Sequence, residues 1–311
     1  MDSARILFIG NPEFSIPSLN LIASSKNKLI GIVTSTDKNT GRGKKLSETP
    51  VSKRAKELNI PLYKPNEIDD TIFLSEIKKL NIDYIIVVAF KFLPKKLLEI
   101  PKFGSINLHP SLLPQYRGAA PLQWSIINSE ILSGITTFLI SNKLDKGDIL
   151  KKTSLVIFPN DNFGSLYLRS SKIGSKLLLD TINEFYKKEI IPKPQKRIIA
   201  SMAPKIHTND CKINWKLQSI KIKNKISAFS PIPGAFTIYK KKRLKIFESI
   251  PSIKDYNKKY GKIVKINKNS FNVQCEKSSL KIYEIQYEGK KKMKSKDFIL
   301  GNQLKIGDLF E

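Results

Sequence analysis

Residues 105–118 read Ser-Ile-Asn-Leu-His-Pro-Ser-Leu-Leu-Pro-Gln-Tyr-Arg-Gly, and a strand-like run downstream leads into Asp145-Lys146-Gly147-Asp148. The two segments supply an amide, an imidazole and a carboxylate. Asn107 and His109 stand two apart at the end of an apolar stretch, a spacing that puts both side chains on one face of a strand. Pro110 ends ladder pairing directly after the histidine and bends the chain into a loop. His109 is one of only two histidines in the chain. Ser111 lies beyond Pro110, in a tight loop that disfavours the geometry of a Ser–His hydrolase. With no Ser or Cys nucleophile, the set points to direct acyl or formyl transfer without a covalent enzyme intermediate. An amine attacking a formyl carbon creates a negative oxygen and must shed a proton. An Asn NH2 and a His N–H can both donate to that oxygen, each worth on the order of 2.7–4 kcal/mol. A carboxylate beside the imidazole is expected to raise its pKa and fix its tautomer. It could also take the amine proton, directly or through water. A lone His beside an Asn equally fits a polar strand end whose imidazole caps a carbonyl, and Leu-Asp-Lys-Gly is ordinary turn chemistry.

The elements that must position these groups are legible as alternating strands and helices. Residues 5–9 form a short apolar run ending in Gly10-Asn11-Pro12, a buried strand meeting a loop. Helical spacing covers 14–25, a second strand 29–34, a helix 50–58 with Pro50 in its first turn, and another helix 71–80. Tyr-Ile-Ile-Val-Val-Ala at 84–89 is a fully buried strand pattern, and 104–108 is a further strand with the chemistry at its C-terminal end. Strands at 134–140 and 149–157 flank Asp145, and an amphipathic helix covers 164–188. The alternation predicts an α/β fold, a mostly parallel sheet with helices on both faces. In such open sheets ligands bind at the C-terminal strand ends. No G-x-G-x-x-G follows the first strand, which disfavours a dinucleotide cofactor, and no P-loop, H-E-x-x-H or nucleophile elbow is present. Composition shifts at the Pro/Lys segment 190–196, and beyond residue 205 short runs at 235–239, 244–247, 261–266, 271–275 and 280–286 predict a small antiparallel barrel or sandwich.

With 311 residues and 41% hydrophobic content, the chain can bury a large core and is expected to form two domains. Its two cysteines, Cys211 and Cys275, lie in no metal-ligand spacing, so neither a zinc site nor a disulfide framework is expected, and the cytoplasm is the expected location. The N-terminus lacks the pattern of a signal peptide, and no run approaches a membrane span. The net charge is +28. Residues 1–189 hold 27 Lys+Arg against 18 Asp+Glu, net +9, and residues 190–311 hold 28 against 9, net +19. A/T-rich coding enriches Lys, Ile and Asn without functional pressure, but it does not concentrate the charge in the C-terminal third. That asymmetry points to a polyanion, most simply nucleic acid.

The string Asn107-Leu108-His109-Pro110-Ser111-Leu112-Leu113-Pro114, continued by Gln115-Tyr116-Arg117-Gly118-Ala119-Ala120-Pro121, and the turn Asp145-x-Gly147-Asp148 resemble the signatures of the folate-dependent formyltransferase family. The resemblance implies a Rossmann-like domain followed by an all-β, OB-like barrel. It implies Asn107, His109 and Asp145 as the catalytic trio, with Asp148 left to hold loop amides. It further implies Ser111, Leu112, Leu113 and Pro114 as the loop lining the folate pocket, with 10-formyltetrahydrofolate as co-substrate and no metal. Within the family, Gly41-Arg42-Gly43-Lys44-Lys45-Leu46 resembles the basic insertion of members that formylate methionyl initiator tRNA. There Arg42 would offer a fork to bases or phosphates, and Lys44 and Lys45 point charges to phosphate. Length and the basic C-terminal part fit the same members. The expected layout is a catalytic domain 1–189, a linker 190–206 and a tRNA-binding domain 207–311, acting as a cytoplasmic monomer. Two features depart from the family pattern: Lys146 where many members have Thr, and Phe90-Lys91-Phe92-Leu93, one residue shorter than usual, near the expected pterin pocket. The basic runs 240–243 and 290–292 fall at turns, where RNA contact and solvated hairpin tips are about equally expected. His207 has no assigned role, Trp124 is expected in the core, and Trp215 fits either reading. A formyltransferase for a small amine such as an amino-sugar nucleotide, and a non-catalytic RNA-binding protein, stay open as alternatives.

Overall fold

The unbroken apolar runs near residues 5–10 and 84–88 are explained by a sheet covered on both faces. In the computed structural model, which describes residues 3–40, 45–196, 200–302 and 304–311, β1 (Arg5–Gly10) sends Ile6 and Phe8 into one apolar cluster and Leu7 and Ile9 into another. The pleat makes successive side chains alternate between faces, so a doubly covered strand must be apolar throughout. The remaining strands of this part are β2 (Lys28–Val33), β3 (Lys38–Thr40), β4 (Lys45–Ser47), β5 (Leu62–Tyr63), β6 (Tyr84–Val88), β7 (Ser105–His109), β8 (Leu132–Leu139) and β9 (Ile149–Val156). Seven of them form one sheet in the order β5-β2-β1-β6-β7-β8-β9, while β3 and β4 form a separate antiparallel pair. Pairing is parallel from β5 to β7 and antiparallel for β7–β8 and β8–β9.

The helices are α1 (Ile16–Ala23), α2 (Pro50–Glu57), α3 (Thr71–Lys79), α4 (Lys95–Leu98), α5 (Pro121–Ile127) and α6 (Phe163–Tyr186), of which α1, α2, α3 and α6 fall in the predicted places. Residues of α1, α2 and α6 cover one face of the sheet, those of α3 and α4 the other. Helix starts are set locally: the Thr49 hydroxyl accepts from Ser52 N at 3.0 Å ahead of Pro50, and Asp70 accepts from Phe73 N at 2.8 Å. Such caps satisfy amides that the first turn leaves without partners.

The chain divides into two units, one comprising residues up to 118, 132–156 and 167–203, the other 119–131, 157–166 and 204–311. The second carries α7 (Ser219–Ala228), β10 (Ala235–Tyr239), β11 (Lys242–Ser252), β12 (Ile263–Ile266), β13 (Phe271–Cys275), β14 (Ser278–Tyr287), β15 (Met293–Lys294) and α8 (Ser295–Asn302). Its antiparallel sheet runs β10-β11-β14-β13-β12, with β15 on β14. The C-terminal residues bridge the two edges. Ile238 of β10 exchanges two backbone hydrogen bonds with Glu311 (2.9 and 3.0 Å), while Gly307 N and Asp308 O bond to Ile263 at 2.8 Å. The expected barrel is thereby joined through the tail of the chain. Phe271, Phe298, Phe310 and Tyr239 fill its core with ring centroids 5.3–6.5 Å apart. Trp215 is buried beside them, its indole N–H donating to Thr237 Oγ1 at 3.0 Å, and Trp124 is half-buried with its N–H on Pro204 O. Cys211 and Cys275 are free and buried.

Candidate active site

Strand β7 carries the predicted pair at its C-terminal end. Ile106 and Leu108 enter the cluster beneath α6, so Asn107 and His109 point to the opposite face. Asn107 sits between Val87 of β6 and Phe138 of β8 in register, and with them it lines a cavity of about 90 Å³. The loop after β6 adds Phe90, Lys91, Phe92 and Leu93, and the β8–β9 connection adds Ile140 and Asp145. The Asn107 amide forms no hydrogen bond among the described residues.

Asp145 reaches this cavity from a turn that only a few residue types could make. Its own φ is +48°, in the left-handed region that Asp tolerates better than most residues. At Gly147, two residues on, an added Cβ would stand 1.6 Å from the Leu139 carbonyl oxygen. One carboxylate oxygen, Oδ2, accepts from Gly118 N at 2.8 Å and faces His109 Nδ1 at 3.8 Å. Asp145 is therefore the acid that holds a loop amide. The expectation that Asp148 does so fails: its side chain is exposed without a hydrogen bond among the described residues, and only its carbonyl is used, by Leu139 N.

His109 is 5% exposed, and its Nε2 lies 2.9 Å from the Tyr116 carbonyl oxygen. A carbonyl only accepts, so Nε2 carries the proton and Nδ1 turns toward Asp145. Burial lowers the imidazole pKa below its ordinary value, against the opposing pulls of Asp145 and the Tyr116 carbonyl. The predicted rise is thus overturned: desolvation outweighs the neighbouring carboxylate, which at 3.8 Å makes no direct hydrogen bond to the ring. Tyr116 enters the site through its backbone carbonyl, at φ +58°, a role no side-chain motif announces.

The four predicted loop residues are not among those that line this cavity. Ser111, Leu113 and Pro114 are buried, and Leu112 packs over Gly134, where a Cβ would come within 2.3 Å of it. The Ser111 hydroxyl donates to Gln115 O at 2.6 Å, and the Thr136 hydroxyl accepts from Leu113 N and donates to Ser111 O. Aromatic and apolar walls with a few polar groups at the rim are what a planar heterocycle requires. Phe90, Phe92, Leu93 and Asn107 meet that description. Arg42 and Lys44 lie outside the described residues. Lys45 begins β4.

The second unit holds a cavity of about 510 Å³ lined by Lys205, Arg243 and Lys245, the rings of Phe163 and Phe236, and His207, with no acidic side chain in its wall. The Arg243 guanidinium lies 4.3 Å from the Phe236 ring centroid. Lys240 and Lys241 form the tight β10–β11 turn with positive φ, and Lys292 pairs with Glu284 at 2.7 Å. Among the described residues no cluster of three His, Cys, Asp or Glu side chains could hold a metal, and no helix is long and apolar enough to cross a membrane.

Residues 4–182 match the family described as formyl transferase, and residues 205–303 match formyl transferase, C-terminal domain. A methionyl-tRNA formyltransferase of Thermodesulfovibrio yellowstonii is 42% identical over 98% of this chain and 98% of its own length. One of Alkaliphilus oremlandii is 39% identical over 98% of this chain and 99% of its own. Among solved structures, a methionyl-tRNA formyltransferase from Clostridium thermocellum superposes with a TM-score of 0.58 over 79% of this chain and 93% of that one, at 20% identity, a likeness of fold. The matched regions take in the β7 string, the acidic turn and the antiparallel sheet alike, and the chain belongs to the formyl transferase family.

Proposed function

We propose that this chain transfers a formyl group from 10-formyltetrahydrofolate to the α-amine of methionine on initiator tRNA, acting as a cytoplasmic monomer. The observation that carries the reading is the uncommitted Asn107 amide sharing one cavity with the Asp145 carboxylate. The folate supplies the formyl group at N10, with its ring among Phe90, Phe92 and Leu93. Asn107 donates to the oxygen that becomes negative as the amine attacks, and the His109 N–H joins it on leaving the Tyr116 carbonyl. Asp145 takes the proton from the attacking nitrogen, with the neutral imidazole behind it as reserve acceptor at Nδ1. Residues 1–189 carry this chemistry. Residues 207–311 hold the RNA, joined to them through 190–206, and the loop Ser111, Leu112, Leu113 and Pro114 that continues from His109 is assigned to the folate.

The RNA reading is supported by the charge asymmetry and by the basic, aromatic-walled cavity of the second unit. Arg42, Lys44 and Lys45 are assigned to the acceptor stem. Transfer of labelled formyl from 10-formyltetrahydrofolate to methionyl initiator tRNA, with elongator methionyl-tRNA and His109→Ala alongside, tests the whole. Initiator-selective transfer abolished by the substitution is expected. Transfer to an amino-sugar nucleotide and not to the tRNA would overturn it.

A further inference from the structure

The segment that composition marks as a linker carries a side chain bonded to Asp145. Ile149 and Lys193 exchange two backbone hydrogen bonds, at 2.8 and 2.9 Å, which lays this segment along the acidic turn. Two residues further on, Gln195 donates both amide N–H groups, to the carbonyls of Asp145 (2.9 Å) and Gly147 (2.8 Å). Its Oε1 accepts from Arg117 Nε at 3.2 Å and Nη2 at 2.7 Å. The direction of the amide is fixed by its partners, because a guanidinium only donates and carbonyls only accept. Both donors and both lone pairs of the side chain are in use.

The same segment grips the other half of the site. Ser201 O accepts from Arg117 N (2.9 Å), Ser201 Oγ accepts from Tyr116 N (2.9 Å), and Ala203 N donates to Arg117 O (2.7 Å). Gly118 lies so close that a Cβ would stand 2.6 Å from Ala203 O. Lys193, Gln195, Ser201 and Ala203 thus tie the turn that bears Asp145 to the loop that bears the Tyr116 carbonyl and the Gly118 amide. Those two backbone groups are the ones that orient His109 and Asp145.

We propose that Gln195 is a positioning residue for Asp145, transmitting the fixed place of the buried Arg117 to the carboxylate. The inference rests on the reading of Asp145 as proton acceptor in formyl transfer. Among the described residues the Asp145 carboxylate itself has one hydrogen bond, from Gly118 N, so its place depends on the backbone turn that Gln195 holds, and a displacement of about 1 Å at a reacting group can cost about 100-fold in rate.

Gln195→Met removes every hydrogen bond of the amide. Gln195→Glu keeps an acceptor for Arg117 and removes only the two donors to the turn. Each is compared with the parent, and again in an Asp145→Asn background, by single-turnover and steady-state formyl transfer with thermal melts. We expect kcat to fall about 30- to 100-fold in the parent, with KM for folate and for tRNA within about twofold. In the Asp145→Asn background we expect no further fall, since residues acting through one group are non-additive. Equal losses in both backgrounds, or a raised KM at unchanged kcat, would overturn the proposal. If the Met variant melts below the assay temperature, the Glu variant carries the comparison. An inactive parent would overturn the formyl-transfer reading itself, whereas an active parent with fully active variants overturns the positioning role alone.

Discussion

Removing the Asn107 amide separates a catalytic donor from a polar strand end. Its side chain forms no hydrogen bond among the described residues, and its neighbours in register are Val87 and Phe138. Asn107→Ala therefore deletes no bond of the folded state, and the stability change should stay within about 0.5–1 kcal/mol. The transition state is different. A single preorganised donor to a developing oxyanion is worth about 2.7–4 kcal/mol. At about 1.36 kcal/mol per tenfold, that is a kcat loss between roughly 100- and 1000-fold. The donor acts on charge that exists only after attack, so KM for folate should hold within about threefold. The assay is rapid-quench formyl transfer at saturating substrates, with urea unfolding of the same preparations. Asn107→Asp, which replaces the NH2 with an acceptor near Asp145, should be at least as inactive. A variant that loses several kcal/mol of stability but keeps kcat within about threefold would refute the argument and return Asn107 to a structural part.

Three further outcomes are expected. Burial holds His109 below its ordinary pKa near 6.5, so below that value the unfolded chain binds a proton that the folded chain does not. Stability should fall as pH drops through this window, and His109→Gln should flatten the fall; parallel melting curves for the two proteins between about pH 7 and 5 would count against it. Gly147→Ala places a Cβ 1.6 Å from Leu139 O and should cost about 3 kcal/mol or more, whereas Gly289→Ala, at φ +78° with nothing within 4 Å, should cost about 1 kcal/mol; urea titrations yielding equal losses would contradict the account. Arg42→Ala should raise KM for tRNA and reduce the salt dependence of its binding while leaving folate binding unchanged, and an equal loss of both would remove the acceptor-stem assignment.

How much was legible in advance follows the range of the interaction. Strands β1 and β6 were readable because double coverage demands a continuous apolar run, and Asn107 with His109 because a period of two fixes their shared face. Helix α7 was not read. Its Ser-Ile-Lys-Ile-Lys-Asn-Lys-Ile alternates like a strand, yet Ile222 and Ile226, one helical turn apart, are the isoleucines it buries, and Ile220 is exposed. Helix α8 also went unread: its only acid in the first turn is Asp297 and its apolar spacing is weak. The lowered imidazole pKa depends on burial, which no local string records. Gln195 is 50 residues from Asp145 and 78 from Arg117, in a segment whose Pro/Lys composition argues for a linker. Contacts at such separations leave no trace in spacing.

The wiring of the pair also decides the order of proton movement. Asp145 lines the cavity and His109 does not, so in the proposed reaction the carboxylate would meet the incoming amine first. The imidazole behind it is held neutral by burial, with Nε2–H on the Tyr116 carbonyl and its open nitrogen toward Oδ2. A ring that resists protonation is a poor resting store for the proton and a good temporary one. A charge formed there is flanked by a carboxylate and a carbonyl, both of which favour the cation. Burial works the other way and disfavours the charged ring, so in the proposed reaction it would return the proton to the departing folate nitrogen once the carbon–nitrogen bond breaks. The Gly118 bond to Oδ2 matters for the same reason: it keeps that oxygen facing the ring, which in the proposed reaction would leave the other oxygen to the substrate.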